Sequence, residues 1–234
     1  MFESILTLTA TAQHALFVAA LTASSSIAFE AAVRGYRGVP ARPSRNVSVA
    51  LANSSESLAD AEALVRAQYR WRGYDFAGSD SAAPAQEPRR PGHVILARED
   101  AELVGTLTLG LDSRAGLLVE DSHADAIADA RASGRRLGEV VRFAVGKADD
   151  SRRALAALFH AAHGLCTVHR LDELYIEVNP RHVAFYRRAL CFKVAAEERT
   201  CPRVGAPSVL MRLALQDLSE KIFELETSLD VRAG

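Results

Sequence analysis

Lysine is almost missing from this chain. It occurs only at Lys147, Lys193 and Lys221, so nearly all of the 28 basic residues are arginine. Arginine in that excess suits recognition of carboxylate or phosphate; a coding bias that also favours alanine is the alternative reading. Net charge is close to absent, at -1, which argues against a protein built mainly to grip nucleic acid. Cysteine is scarce: Cys166, Cys191 and Cys201 are the three thiols. So widely spaced, they make neither a disulfide framework nor a metal cluster, and they point to a reducing, cytoplasmic setting with no metal site. A membrane-spanning run is also lacking. Residues 15–21 are apolar, but a span takes about 20 residues. No basic residue precedes them, and Glu3 stands where an export signal would carry positive charge. They read as a helix or loose extension, with an export signal as the alternative. No internal repeat is visible.

What the chain has is apolar mass: 49% of its 234 residues are hydrophobic, enough for one large domain with a sizeable core. The most informative stretch is residues 137–145, Leu-Gly-Glu-Val-Val-Arg-Phe-Ala-Val. Leu137, Val141, Phe143 and Val145 alternate as in a strand. Glu139 and Arg142 do not belong in a plain buried strand, where charges must be paired or used. Three residues apart, they would point to opposite faces, and a one-residue bulge would bring both to one side. Such a pair can orient or deprotonate an amine. It can equally be a structural ion pair holding the sheet to a helix.

Taken in order, residues 1–45 end in a Gly-, Pro- and Arg-rich linker. A strand follows at 47–51. Ser57 to Asp60 matches a capping box opening a helix whose apolar side includes Leu58, Ala61, Leu64, Val65 and Gln68, and Gly73 ends it. The helix finishes in Tyr69-Arg-Trp-Arg-Gly-Tyr74, a set of aromatics and arginines that either lines a pocket or covers a core edge. Residues 77–92 read as a loop. Strands are expected at 94–97 and 103–111, with Leu103, Leu107, Leu109 and Leu111 on one face. A turn at 112–116 and a helix at 121–132 lead to the strand of Glu139. Asp149 to Ser151 opens a helix with the stripe Leu155, Leu158, Phe159, Ala162 and Cys166. His160, His163 and His169 on it read as ordinary surface or core histidines rather than metal ligands. A strand at 174–178 precedes Asn179-Pro180, which caps a helix reaching about residue 190. Strands at 194–198 and 208–213 close the sheet, and residues 215–229 carry a helical apolar stripe. This order describes a mixed α/β (α+β) sheet covered by helices on both faces.

The segment Val178-Asn-Pro-Arg-His-Val-Ala-Phe-Tyr-Arg-Arg-Ala-Leu-Cys-Phe192 resembles the late part of the GNAT acyltransferase fold. The chain is more closely similar to one branch, the FeeM-like long-chain N-acyl amino acid synthases. The resemblance rests on Tyr69-Arg-Trp-Arg-Gly-Tyr74, Leu111-Asp-Ser-Arg-Ala-Gly-Leu117, Glu139-Val-Val-Arg142, Ile176-Glu-Val-Asn-Pro-Arg-His182 and Arg203-Val-Gly-Ala-Pro207, in the family's order. It implies a GNAT-like domain over residues 46–214, with an extension at 1–45 and an amphipathic helix at 215–234 outside it. The implied reaction joins a fatty acyl group, carried as a 4'-phosphopantetheine thioester on acyl carrier protein, to the amine of an amino acid, with no permanently bound cofactor. Related acyl-homoserine-lactone synthases share the Glu-x-x-Arg strand. Two departures stand out. GNAT enzymes that use coenzyme A hold its pyrophosphate with a glycine-rich loop, whereas residues 146–153 lack that spacing and carry Asp149 and Asp150 where the phosphate would sit. Cys191 stands where the family usually has glycine, so a left-handed backbone there costs about 1 kcal/mol.

On this resemblance Glu139 is the expected base, directly or through a water, and Arg142 its orienting partner or the substrate carboxylate's. Tyr186 is either the acid that protonates the leaving thiolate or a core tyrosine. Trp71, Arg72, Asp112, Asn179 and His182 are expected to bind substrate, with Phe143 and Val145 bordering the oxyanion. Arg152, Arg153, Arg187 and Arg188 are the expected docking surface for the carrier protein. The alternatives are a coenzyme A-dependent acetyltransferase, a homoserine-lactone synthase, and a non-catalytic binding module of the same fold.

Overall fold

The computed structural model describes residues 47–74, 90–146 and 151–217, with only the backbone at 151–153. The extension at 1–45, most of the loop at 77–92, the helix opening at 149–150 and the tail stripe beyond 217 lie outside the described residues. The strands are β1 (Val47–Leu51), β2 (Gly92–Glu99), β3 (Glu102–Leu111), β4 (Leu137–Val145), β5 (Glu173–Val178), β6 (Lys193–Val194), β7 (Arg199–Cys201) and β8 (Ala206–Ala214). The helices are α1 (Ser55–Trp71), α2 (Glu120–Ala132), α3 (Ser151–Val168) and α4 (Val183–Ala189).

The strands form an open sheet in the order β1-β2-β3-β4-β5-β8-β6, with β7 on β8. Every pairing is antiparallel except β4 with β5. Helices cover both faces, and neighbouring residues of β5 show it. Ile176 joins a core with Leu158, Ala161 and Leu165 of α3. Tyr175, pointing to the opposite face, joins Leu117, Val119 and Ile127 at α2. The apolar alternation of β3 places Leu107 and Leu109 fully in the α3 core. Leu103 leaves that face because β3 carries an extra residue opposite Ala97 and Arg98, and Val104 is buried in its stead.

Two expectations need correction. The capping box sits earlier than Ser57: Ser54 Oγ accepts the Ser57 N–H at 3.1 Å, and Ser57 Oγ accepts the Ser54 N–H at 3.1 Å. Ser57 is the third helical residue, Ala61 and Val65 carry the buried side, and Leu58 is exposed. Of the strand expected at 194–198 only Val194 is strand, in β6; residues 195–198 leave the ladder before β7 begins at Arg199. Ala195 and Ala196 both donate to the Leu210 carbonyl, and two donors on one acceptor interrupt the ladder.

Candidate active site

β4 is bulged, but at Arg142 and Phe143 rather than between Glu139 and Arg142, so the bulge does not bring those two charges to one side. Thr108 pairs with Val141 and Thr106 with Ala144, so β4 carries one residue more than β3 at Arg142 and Phe143. Arg142 takes the left-handed backbone this needs, at φ 49°. The parallel pairing of β4 with β5 stops at Val140 and Ile176, while β5 continues along β8 to Val178. Beyond that point the two central strands part, and β4 from Val141 onward has no strand paired on that side among the described residues.

The parting opens a cavity of about 1130 Å³. Its lining combines two chemistries. Val140, Phe143 and Val145 of β4, Leu155 of α3, and Tyr186 and Leu190 at α4 supply apolar surface. Arg72, Asp121, Arg142, Glu177 and Arg203 supply charged groups. Trp71, 64% exposed, and the exposed Phe185 stand at its rim. The Arg72 guanidinium lies 5.5 Å from the Trp71 ring, within cation–π range. Asn179 and His182 also line the cavity. Asn179 Oδ1 accepts the Arg181 N–H at 3.2 Å and so starts the turn that carries His182. Burial, then the Arg181 charge, lowers the His182 pKa, which favours a neutral ring at physiological pH. Tyr186 is held by edge-on contacts with Phe159, Phe185 and Phe192. Burial pushes its phenol above the ordinary tyrosine range, so the group stays protonated and is able to donate a proton.

The structure thus brings Trp71, Arg72, Arg142, Phe143, Val145, Asn179, His182 and Tyr186 to one cavity. Glu139 is placed differently. It is 2% exposed and does not line the cavity. Its side chain lies across Gly110, where an added Cβ would come within 2.8 Å of the Glu139 Cγ. Its two oxygens accept the backbone N–H groups of Leu118 at 2.8 Å and Val119 at 3.0 Å. Burial nonetheless raises its pKa, those two bonds opposing the rise. No ion pair joins it to Arg142 among the described residues, because the bulge sends Arg142 outward while Glu139 stays under the turn before α2. Asp112 is likewise engaged elsewhere. Its oxygens meet Arg131 Nε and Nη2, each at 2.8 Å, a two-pronged bond tying the end of β3 to α2 outside the cavity. Arg187 and Arg188 are exposed on α4 and do not line the cavity. The side chains of Arg152 and Arg153 lie outside the described residues.

Sequence reasoning missed the polar lining. Glu177 Oε1 accepts Ser122 Oγ at 2.5 Å and Ser208 Oγ at 3.0 Å, and its Oε2 takes a bond from Arg203. Arg203 also bonds Asp121 at 2.7 Å and the Leu118 carbonyl. The buried His123 lies with Nδ1 3.4 Å from Glu177 Oε1. Glu177 and Arg203 stood inside two of the sequence blocks, but strand alternation alone does not say that a glutamate near the end of β5 faces a cleft. Arg142 and Arg72 have no carboxylate partner among the described residues.

The family model for FeeM, an N-acyl amino acid synthase, matches residues 60–214. The chain belongs to the FeeM family. Its fold agrees: FeeM from uncultured soil microbes, an N-acyl amino acid synthase of solved structure, superposes with a TM-score of 0.66 at 25% identity, over 74% of this chain and 92% of that one. Two further solved structures share the fold alone. ElaA of Escherichia coli matches at 15% identity and TM-score 0.50, over 72% of this chain and 99% of its own. An acyl-CoA N-acyltransferase from Pseudomonas aeruginosa matches at 16% identity and TM-score 0.50, over 73% of this chain and 100% of its own. Comparison with curated sequences gives no match. As a FeeM-family protein with the GNAT fold, the chain is an N-acyltransferase that takes an acyl thioester as donor.

Proposed function

We propose that this protein transfers a long-chain acyl group from the phosphopantetheine thioester of acyl carrier protein to the α-amine of an amino acid. The observation that carries this reading is a large cavity lined by both apolar and charged side chains. A cavity of about 1130 Å³ exceeds the roughly 300–1,000 Å³ usual for small-ligand pockets and is far larger than an acetyl group needs. Its apolar surface suits an alkyl chain, and its charged groups suit a zwitterionic acceptor. The guanidinium of Arg142, without a carboxylate partner among the described residues, is the group we assign to hold the acceptor's carboxylate in a two-pronged bond.

The amine arrives mostly protonated, since an α-amine has a pKa of about 7.7–8.0. Asp121 faces the cavity and gives one oxygen to Arg203; its other oxygen is the acceptor we assign to the first ammonium proton, directly or through a water. The free amine attacks the thioester carbonyl, whose oxyanion is met by N–H groups of β4 near Phe143 and Val145. The C–S bond breaks, Tyr186 protonates the thiolate, and the second amine proton returns to Tyr186. Glu139 is in this scheme a positioning residue, holding the turn that carries Leu118 and Asp121 into the cavity wall.

Docking of an acidic carrier protein is assigned to the exposed Arg187 and Arg188, beside the cavity on α4, together with Arg152 and Arg153 of α3. Reversing the charge of Arg187 and Arg188 is expected to raise the KM for carrier-bound donor and leave that for a free pantetheine thioester unchanged. The domain is taken as residues 46–214, in the cytoplasm. The direct check is mass spectrometry of lipid extracts from cells overproducing the protein. N-acyl amino acids absent from control cells support the reading; an unchanged lipid profile from an active, soluble protein contradicts it.

A further inference from the structure

The apolar lining of the cavity borders a second space. Ala189 and Leu190, which line the cavity, also line a recess of about 70 Å³. Phe159, Leu174, Phe192, Leu213 and Leu215 form the rest of its wall together with the buried His163. Phe159 belongs to the recess and not to the main cavity, yet its ring meets Phe143 edge-on at 5.5 Å and Tyr186 at 6.4 Å, and both of these line the cavity. Leu190 and Phe159 therefore stand between the two spaces. The backbone fixes Leu190 there. It caps the end of α4, and Cys191, at φ 60°, turns the chain so that Phe192 returns to the core at 1% exposure.

The recess is too small for a ligand of its own. Its 70 Å³ equals about two water molecules' share of liquid volume, at roughly 30 Å³ each. It matches the end of an alkyl chain, for which each buried methylene favours binding by about fourfold. Resting on the reading of the cavity as an acyl-chain site, we propose that Leu190 and Phe159 form the partition that sets acyl length. The methyl end of the preferred chain stops against them, and the recess is the space a longer chain enters when the partition is smaller.

The test measures kcat/KM for thioesters from octanoyl to octadecanoyl with the wild type, Leu190→Ala and Phe159→Leu. Displacement of a fluorescent fatty acid by fatty acids of the same lengths gives a second readout that needs no turnover. In both variants the optimum is expected to move to chains about two carbons longer, as the recess volume allows. Leu190→Phe is expected to move it the other way. If one variant fails to fold, the other decides. An optimum that stays in place in a folded, active variant, in transfer and in binding alike, overturns the partition alone. A wild type that neither transfers nor binds an acyl group of any length overturns the acyl-chain reading and the partition with it.

Discussion

The backbone N–H of Val119 donates to Glu139 Oε2 at 3.0 Å, beside the bond from Leu118 to Oε1 at 2.8 Å. These bonds join β4 to the entry of α2, and in the proposed scheme they make Glu139 a structural clamp. Replacing it with alanine strands the part-buried Leu118 donor and the buried Val119 donor, the latter at a cost of about 1–3 kcal/mol. The gentler Glu139→Gln sets an amide N–H against a backbone N–H and is expected to lose about 1–3 kcal/mol, or a melting shift of roughly 2–10 °C. Turnover is expected to fall with the displaced turn, while the pH profile of kcat keeps its shape. A pH profile that loses its acid limb in the glutamine variant would restore Glu139 as the base.

Arg142 makes the opposite case, since it lines the cavity and has no carboxylate partner among the described residues. Charge-assisted hydrogen bonds contribute about 1.5–3 kcal/mol. Arg142→Ala is therefore expected to raise the KM for the amino-acid acceptor by roughly 10–100-fold, with little change in donor KM. Initial rates over both substrates measure this. An equal rise in both constants would show a general collapse of the site.

Much of this arrangement is legible in the sequence. β1 and β4 fall at their expected residues because alternation and flanking turns bound them tightly. A bulge in β4, though not its place, is legible because two charges at a spacing of three conflict with a buried strand. Cys191 is legible because a residue after a helix end, where glycine is usual, signals left-handed backbone. The partners of Glu139 are not, since backbone N–H groups of a distant turn leave no mark in side-chain pattern. Nor is the network of Glu177, Arg203 and Asp121, which draws together segments far apart in the chain. Asp112 misleads because an acidic residue in a turn looks the same whether it meets substrate or Arg131.

Cys191 offers a test of stability alone. A non-glycine residue in the left-handed region carries about 1–2 kcal/mol of strain, and glycine gives back about 0.4–1 kcal/mol through the freedom of the unfolded chain. Cys191→Gly is expected to raise the melting temperature by roughly 1–4 °C. A lower melting temperature would mean that packing of the cysteine side chain outweighs the strain.

Three imidazoles set the acid side of the stability profile. Burial, with the His160 charge adding to it, takes His163 from 6.5 down to about 4. Burial lowers His93 and His169 as well, and their Nε2 atoms lie 2.8 Å apart, so the pair has room for only one shared proton. The unfolded chain then binds protons first as pH falls below about 6.5. Stability is present above that pH and is lost towards pH 4. The raised Glu139 has the opposite sign, favouring the fold on its acid side and losing that contribution as pH rises through its folded value. Melting curves from pH 7 to pH 4 are expected to fall, and His163→Leu to flatten part of the slope. A flat profile in the wild type would contradict the burial of these rings in solution.

The measurement that bears most directly on the proposed function is product formation by the purified protein with one amino-acid mixture and three donors. These are a long-chain acyl group on acyl carrier protein, the same group on coenzyme A, and acetyl-coenzyme A. Mass spectrometry is expected to show N-acyl amino acid with kcat/KM highest for the carrier-bound donor and negligible for acetyl-coenzyme A. An enzyme that works best with acetyl-coenzyme A, or that acylates no amino acid from any of the three, would contradict the assignment.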